Sequence, residues 1–193
     1  MKADREAAAR AIAAFLSALG YDAGRADLAR TPERVASAFA TELLTGEDVD
    51  LGKLLLEGSE ASSEHFSGLV AVRRINVTTI CPHHLLPAFG SASLAYLPGS
   101  RLVGLGTLTR LVDVCARRLT LQESIGESVV RALSEHVGAR GAYCQIELTH
   151  TCLVARGSEQ TNARLVTVAR SGELMGPDAS AQLSLAFGPM AAP

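Results

Sequence analysis

Residues 68–84 read GLVAVRRINVTTICPHH, an alternating pattern that leads into a cysteine and two histidines. From Leu69 to Val77, successive side chains alternate between the two faces of an extended chain, and β-branched residues are abundant. Both features are typical of a strand. The predicted strand leads directly into the tetrapeptide CPHH at 81–84. The sequence therefore predicts a strand that places a cysteine and two histidines in one turn at its end.

The segments downstream of this strand show the periodicity of further strands and helices. A second strand is expected at 88–97, two helices at about 107–118 and 121–137, and two closing strands at 142–151 and 161–170. The order β-β-α-α-β-β predicts an α+β domain in which helices cover an antiparallel sheet.

The segments outside this domain give a helical region and a tail. Helical spacing predicts a helix over 4–18, and the tripeptide TPE predicts a second helix that is capped by the Thr31 hydroxyl and runs to Gly46. Residues 47–66 are expected to be a loose connection. We therefore divide the chain into an N-terminal helical region, an α+β catalytic domain and a weakly ordered tail. These are 1–66, 67–175 and 176–193.

Composition excludes several classes of function. The chain has 193 residues, of which 48% are apolar, and its net charge of −2 gives no electrostatic footprint for nucleic acid or an anionic membrane. No apolar run approaches the roughly 20 residues that a membrane span needs. The first residues lack the pattern of a secretory signal. We therefore expect a cytoplasmic protein, in which cysteines are more often ligands or core residues than disulfides.

Cysteine and histidine spacing points to a metal. Cys81 and His84 are three positions apart, so a thiolate and an imidazole can reach one ion from a tight turn. That pair alone is weak evidence for a metal, because a turn with a buried cysteine and a partly exposed pair of histidines gives the same pattern. His150 and Cys152 end a predicted strand and would share a face, which adds a third ligand and a spare imidazole. Three protein ligands and an open position are typical of catalytic zinc, so we predict Zn²⁺ on Cys81, His84 and Cys152.

Cys115 and Cys144 are expected to be core residues, whereas other polar positions have two readings each. Gln122 and Glu123 begin a helix, where they could favour the positive end of the helix dipole or bind a ligand. Four arginines could bind an anionic substrate or could equally be solvated surface. They are Arg110, Arg117, Arg118 and Arg156.

An ordered set of motifs carries a family resemblance. In chain order they are TPERVA at 31–36, CPHH at 81–84, Gly90, YLP at 96–98, Gly104-Leu105, Arg110, RLTLQE at 118–123 and HTCLVARG at 150–157. Together they resemble the GTP cyclohydrolase I family over roughly residues 4–175. The resemblance implies a tunnelling fold (T-fold) whose subunits assemble into an oligomeric barrel, commonly a decamer of two stacked pentamers. It also implies active sites at subunit interfaces.

The resemblance further implies roles for nine positions. The zinc ligands match Cys81, His84 and Cys152, the acid–base residues match His83 and His150, the guanine-binding residues match Gln122 and Glu123, and the arginines facing the triphosphate match Arg110 and Arg156. The implied reaction is hydrolytic opening of the imidazole ring of GTP at C8, with release of formate and formation of dihydroneopterin triphosphate.

Departures from the family pattern lie mostly on the phosphate side. The usual Ser-Lys after Gly-Leu is Gly106-Thr107 here, which removes a hydroxyl and a cation, and Arg164 or Arg170 are candidates to compensate. Pro82 also stands where the family usually has Glu. These departures leave two alternatives to GTP turnover. One is a divergent paralogue that uses another guanine nucleotide or stops after ring opening, and the other is a non-catalytic, zinc-stabilised assembly protein.

Overall fold

The computed structural model describes residues 3–22, 24–61, 68–157, 159–176 and 178–188. Its helices are α1 (Arg5–Ala18), α2 (Thr31–Ala38), α3 (Leu51–Glu57), α4 (Leu105–Ala116), α5 (Gln122–Val137), α6 (Thr151–Val154) and α7 (Ala179–Phe187). Its strands are β1 (Ser59–Ala61), β2 (Val70–Ile80), β3 (Pro87–Leu97), β4 (Arg101–Val103), β5 (Gly141–His150) and β6 (Leu165–Gly172). In these ranges no helix is both long and apolar enough to span a membrane.

The main sheet has four strands in the order β2-β3-β5-β6, and all neighbours are antiparallel. Helices α4 and α5 pack on one face of this sheet. The predicted α+β class and antiparallel sheet are confirmed. Strands β1 and β4 form a separate two-stranded antiparallel sheet.

Burial along β2 explains why this strand presents one face to the helices. Ile75 and Val77 are buried in the core, whereas Asn76 between them is exposed. A shift of one residue would exchange these two faces, so the apolar pattern fixes the register. Tyr96 on the neighbouring strand is fully buried, and its hydroxyl accepts a 2.8 Å hydrogen bond from the Val103 N–H. The core therefore holds this polar group without an unpaired oxygen.

The pairing of β2 with β3 is interrupted by a bulge. The register shifts between Val72 and Ile75, and Arg74 within it has φ +56°. A non-glycine residue in the left-handed region is strained, and a bulge redirects the side chains around it. Consecutive residues at this point therefore do not follow simple alternation.

A second, smaller core lies on the other face of the sheet. Leu183 of α7 is fully buried there against Leu97 and Tyr143. Our sequence prediction for the tail from Gly176 did not include a helix, and the structure differs because this apolar cluster gives α7 a surface to pack on. Residues 189–193 of the predicted tail lie outside the described part, and the three-way division of the chain remains a prediction.

The connection predicted at 47–66 is partly ordered instead. Helix α3 begins where the Asp50 carboxylate accepts the Lys53 N–H at 3.0 Å, and its Leu55 is fully buried. Strand β1 then pairs with β4, Ser59 opposite Val103. A loose connection was therefore the wrong prediction for 47–61, because a non-local strand supplies the pairing. Residues 62–67 of that prediction lie outside the described part.

Three predicted element ends need correction. The cap of α2 is Arg30 and makes no side-chain capping bond, so the Thr31 hydroxyl is not the cap. After α2, a π-helical turn over Phe39–Leu43 replaces the expected run of α-helix to Gly46. Strand β6 begins at Leu165 rather than at 161. The start of β6 coincides with the pairing of Leu165 with Leu148 of β5, a contact between distant segments.

Candidate active site

The turn that follows β2 folds His84 back toward Cys81. The Cys81 N–H donates to the Leu86 carbonyl at 2.9 Å, and the Leu85 N–H donates to the Cys81 carbonyl at 2.9 Å. Leu85 adopts φ +54°, the left-handed conformation that tightens the turn. As a result, the His84 Nδ1 atom lies 3.7 Å from the Cys81 sulfur.

Cys152 reaches the same place from the short helix α6. The Thr151 hydroxyl donates a 2.6 Å hydrogen bond to the Pro87 carbonyl, which ties the start of α6 to the start of β3. The Cys152 and Cys81 sulfur atoms lie 3.9 Å apart. Our prediction that His150 and Cys152 share a strand face was wrong, because β5 ends at His150 and Cys152 is helical.

The three donor atoms fit a zinc ion. The ligand atoms of Cys81, His84 and Cys152 all lie within 4.8 Å of one another. Tetrahedral zinc, with bonds of about 2.3 Å to sulfur and about 2.05 Å to nitrogen, places two sulfurs about 3.8 Å apart and sulfur and nitrogen about 3.6 Å apart. The observed separations of 3.9 and 3.7 Å are close to both values. Two thiols and one imidazole are also a donor set that zinc prefers.

His150 is held in one orientation by Gln122. Its Nε2 atom lies 2.9 Å from the Gln122 Oε1 atom. The Gln122 amide nitrogen faces two carbonyl oxygens, those of Ile146 and Leu165, each at 3.0 Å, and the Thr167 hydroxyl at 3.2 Å. Carbonyl oxygens only accept, so the amide NH₂ must face them and Oε1 must face the imidazole. The His150 Nε2 atom is therefore the N–H donor, and Nδ1 is the other ring nitrogen.

Burial and neighbouring charged groups shift the pKa of His150 and that of Cys152. Burial lowers the pKa of His150, and the carboxylate of Glu123 acts in the opposite direction. Burial, then the hydrogen bond and the charge of Cys81, raises the pKa of the Cys152 thiol, whereas Arg156 lowers it. Glu123 and Arg156 are both exposed, so they remain accessible to a ligand.

His83 stands at the outer side of the turn. Its side chain is exposed, and its ring centre lies 6.2 Å from that of His84 in an edge-to-face arrangement. The structure thus brings together seven predicted site residues at one end of the sheet. They are Cys81, His83, His84, Glu123, His150, Cys152 and Arg156, with Gln122 buried behind His150.

Arg110 lies elsewhere. It lines a groove with Ile75 of β2, six positions before Cys81. At about 3.3 Å per residue along a strand, the backbone of Ile75 is roughly 20 Å from that of Cys81. Two other candidate arginines have internal partners, since Arg117 Nε donates to Asp113 at 2.8 Å and Arg118 Nε donates to the Gly46 carbonyl at 3.0 Å.

The remaining cysteines are core residues, as predicted. Burial raises the pKa of the Cys115 thiol to about 11 and that of Cys144 to about 12. Sequence reasoning missed Thr167 and Thr151, which hold Gln122 and α6 in place. No sequence pattern marks them, because each acts through a partner on another element.

The chain is similar to one protein family over most of its length. The family model for GTP cyclohydrolase I matches residues 8–185. A protein named GTP cyclohydrolase 1 from Leifsonia xyli subsp. xyli is 38% identical over 190 residues, with 96% of each chain covered. One of the same name from Campylobacter lari is 39% identical over 161 residues, with 83% of each chain covered.

A third relative and one solved structure complete the comparison. GTP cyclohydrolase 1 from Chlorobaculum tepidum is 38% identical over 165 residues, covering 86% of this chain and 72% of that protein. The apo archaeosine synthase QueF-Like aligns with a TM-score of 0.43 and 16% identity over 54% of this chain and 94% of its own, a likeness too weak to support an argument.

The fold and the site define an α+β enzyme with a candidate metal centre, and the relatives are hydrolases by name. The chain belongs to the GTP cyclohydrolase I family. The resemblance predicted from the sequence motifs is confirmed, and the protein is an enzyme of the hydrolase class.

Proposed function

We propose that this protein is a zinc-dependent GTP cyclohydrolase that opens the imidazole ring of GTP at C8, releases formate and forms dihydroneopterin triphosphate. Family membership supports the reaction. The observation that carries it is the cluster of Cys81, His84 and Cys152 beside an oriented His150. A purely structural zinc site would be closed by a fourth protein ligand, and among the described residues only these three form such a group.

Zinc would be held by Cys81, His84 and Cys152. When bound there, it would lower the pKa of a coordinated water toward about 7 and so supply a nucleophile at neutral pH. The protein's own contribution is to keep the three donors together, through the tight turn after β2 and the Thr151 hydrogen bond to Pro87. This preorganisation reduces the ordering that metal binding would otherwise require.

Proton transfer is assigned to His150 and His83. Because His150 Nε2 donates to Gln122, its Nδ1 atom is the nitrogen left to exchange a proton with the substrate. Protonation of guanine N7 makes C8 electrophilic, which is what hydrolytic attack needs. His83 is exposed beside the ligand turn and is the second candidate for the proton steps that follow ring opening.

Glu123 is our candidate for reading the guanine edge. Its carboxylate is exposed near His150 and can accept two N–H donors, from guanine N1 and the 2-amino group. Adenine cannot supply this pair, so the contact would select guanine. The side-chain amide of Gln122 is 3% exposed and has partners on both its atoms. We therefore assign Gln122 to positioning His150 rather than to contacting the base with its side chain.

The location of Arg110 supports an active site shared between subunits. Arg156 lies at the metal end of the sheet, whereas Arg110 lines a groove beside Ile75, whose backbone is roughly 20 Å from that of Cys81 along β2. Because the two arginines lie toward different ends of β2, we propose that Arg110 serves the site of a neighbouring copy. Strands β2 and β6 are the edges of the main sheet, and Val166 and Val168 on β6 are about half exposed. We propose that these edges pair between subunits in a barrel-shaped decamer.

A cytoplasmic location fits this chemistry, because all four cysteines are free and two of them must stay reduced to bind zinc.

A nucleotide panel tests the proposal. Zinc-loaded protein is incubated with GTP, GDP, GMP and guanosine, and pterin fluorescence and formate are followed together. GTP should give both products. Formate without a pterin would indicate arrested chemistry, a preference for GDP or GMP would indicate a divergent paralogue, and silence with all four would refute a cyclohydrolase.

A further inference from the structure

A second groove lies between β2 and α4, at the far end of β2 from the candidate metal centre. It is a shallow groove, wide open to solvent, with a volume of about 610 Å³. Two arginines line it, Arg74 from the strand and Arg110 from the helix, and Asn76 contributes an amide. Gly106, in the first turn of α4, brings the positive end of that helix to the same groove.

The charge balance of this groove is positive. Asp113 is the one carboxylate among its described lining residues, and it accepts a 2.8 Å hydrogen bond from Arg117 Nε. Arg117 therefore balances Asp113, and the charges of Arg74 and Arg110 remain for a ligand. Both guanidinium side chains belong to exposed residues. Such a pair suits a phosphate chain, because each planar guanidinium can donate two parallel hydrogen bonds.

The backbone explains how Arg74 comes to face this groove. Arg73 and Arg74 are consecutive, and the register shift between Val72 and Ile75 falls on them. Arg73 Nη1 donates to the Ala186 carbonyl at the end of α7, 3.5 Å away, whereas Arg74 lines the groove beside α4. In this position the Arg74 backbone is strained, with φ +56°. Backbone strain of this kind is concentrated at functional sites.

We propose that Arg74 is a specificity-determining residue, which binds the polyphosphate tail of the nucleotide together with Arg110 and favours a triphosphate over a monophosphate. The identity of the nucleotide rests on the proposed function, but the anion site itself rests on the groove. The ligand class is a linear polyphosphate, and Arg73 is a matched control because it is adjacent, equally charged and directed elsewhere.

Direct binding of inorganic tripolyphosphate tests the anion site. Zinc-loaded wild type, Arg74→Ala and Arg73→Ala are compared by calorimetry, with excess magnesium so that the probe does not remove zinc. Arg74→Ala should weaken binding about tenfold, the loss expected for one charge-assisted contact, and Arg73→Ala should match wild type. Equal losses in both variants, or none in Arg74→Ala, would overturn the proposal. Neither result depends on turnover.

Kinetics test the specificity role separately. Arg74→Ala should raise KM for GTP about tenfold while kcat stays within about twofold, since the phosphate contact acts on binding rather than on the ring-opening step. Arg74→Lys, which keeps the charge but not the bidentate geometry, should recover part of the loss. An unchanged KM in Arg74→Ala alongside normal formate release would overturn the proposal and leave the proposed function standing. Absence of formate from wild type would instead refute the proposed function, and tripolyphosphate binding would still decide the anion site.

Discussion

The Nε2 atom of His150 lies 2.9 Å from the Oε1 atom of Gln122, although 28 positions separate the two residues in the chain. Gln122 begins α5 and His150 ends β5, so the contact joins the helix layer to the sheet beside the candidate metal centre. The carbonyl oxygens of Ile146 and Leu165 determine the orientation of the Gln122 amide, and this amide determines the tautomer of the His150 imidazole. The sheet backbone thus determines which nitrogen of His150 carries the proton.

Replacing Gln122 should therefore damage catalysis without removing the metal. In Gln122→Leu, His150 loses its partner. The carbonyl oxygens of Ile146 and Leu165 each lose one donor. Loss of the buried bond to Ile146 costs about 1–3 kcal/mol of folding free energy if that oxygen is left unpaired. We expect kcat to fall at least about tenfold, within the range of general acid–base contributions, with one zinc retained per chain. Gln182→Leu, at an exposed position of α7, is the control. A wild-type kcat in Gln122→Leu would argue against the positioning role.

Metal content separates the ligands from the acid–base residue. Cys152→Ala should lose zinc on dialysis, because two donors remain, and Cys115→Ala should keep it, because that thiol is in the core. His150→Ala should also keep zinc but lose about 10²–10⁴-fold in kcat. Atomic absorption on the three variants, each checked for its folded circular dichroism spectrum, gives the answer. One zinc per chain in Cys152→Ala would refute the ligand assignment.

The buried core thiols predict a loss of stability at alkaline pH. The pKa values of Cys115 and Cys144 rise from 9.0 to about 11 and about 12 on folding, because burial disfavours the thiolate. Above pH 9 the unfolded chain releases these protons and the folded chain does not, so stability falls as pH rises toward 11. Each thiol contributes a slope of up to about 1.4 kcal/mol per pH unit in that window.

Urea unfolding at pH 8, 9 and 10 measures this slope. The double variant Cys115→Ala, Cys144→Ala should be less stable than wild type at pH 8, because it leaves small cavities, but it should lose less stability between pH 9 and pH 10. The same slope in both proteins would show that these thiols do not titrate differently in the folded and unfolded states.

The edge strand β6 allows the proposed assembly to be tested. Val168 is 47% exposed on this edge, and a charge there would have to be buried if a neighbouring strand paired with it. Val168→Lys should therefore shift the mass measured by light scattering toward smaller species. Leu185→Lys on α7, at a position 89% exposed, should leave the mass unchanged. A full-sized assembly in Val168→Lys would place the subunit interface elsewhere.

Local patterns were sufficient for the features that depend on neighbours in sequence. The alternation from Leu69 to Val77 predicted β2, and the Cys81–His84 spacing predicted two members of the candidate metal cluster, because a strand and a tight turn are both local. The third member, Cys152, was predicted from its residue type, but the predicted reason for its position was wrong. Cys152 reaches Cys81 because α6 begins at Thr151, whose hydroxyl binds the Pro87 carbonyl.

Features that depend on distant partners were not predictable in the same way. Strand β1 exists because Ser59 pairs with Val103, and α7 exists because Leu183 finds an apolar cluster on the far face of the sheet. Gln122 was predicted as a site residue, but its hydrogen-bond partners on β5 and β6 could not be predicted from its neighbours in sequence. Arg74 was not predicted as a site residue, because a bulge rather than the alternation of the strand determines the direction of its side chain.

The ratio of formate to dihydroneopterin triphosphate formed from GTP by the zinc-loaded wild-type protein tests the proposed reaction most directly. We expect one formate for each pterin, with both products lost together in His150→Ala and in Cys152→Ala. Zinc-loaded, folded protein that releases no formate from GTP would contradict it.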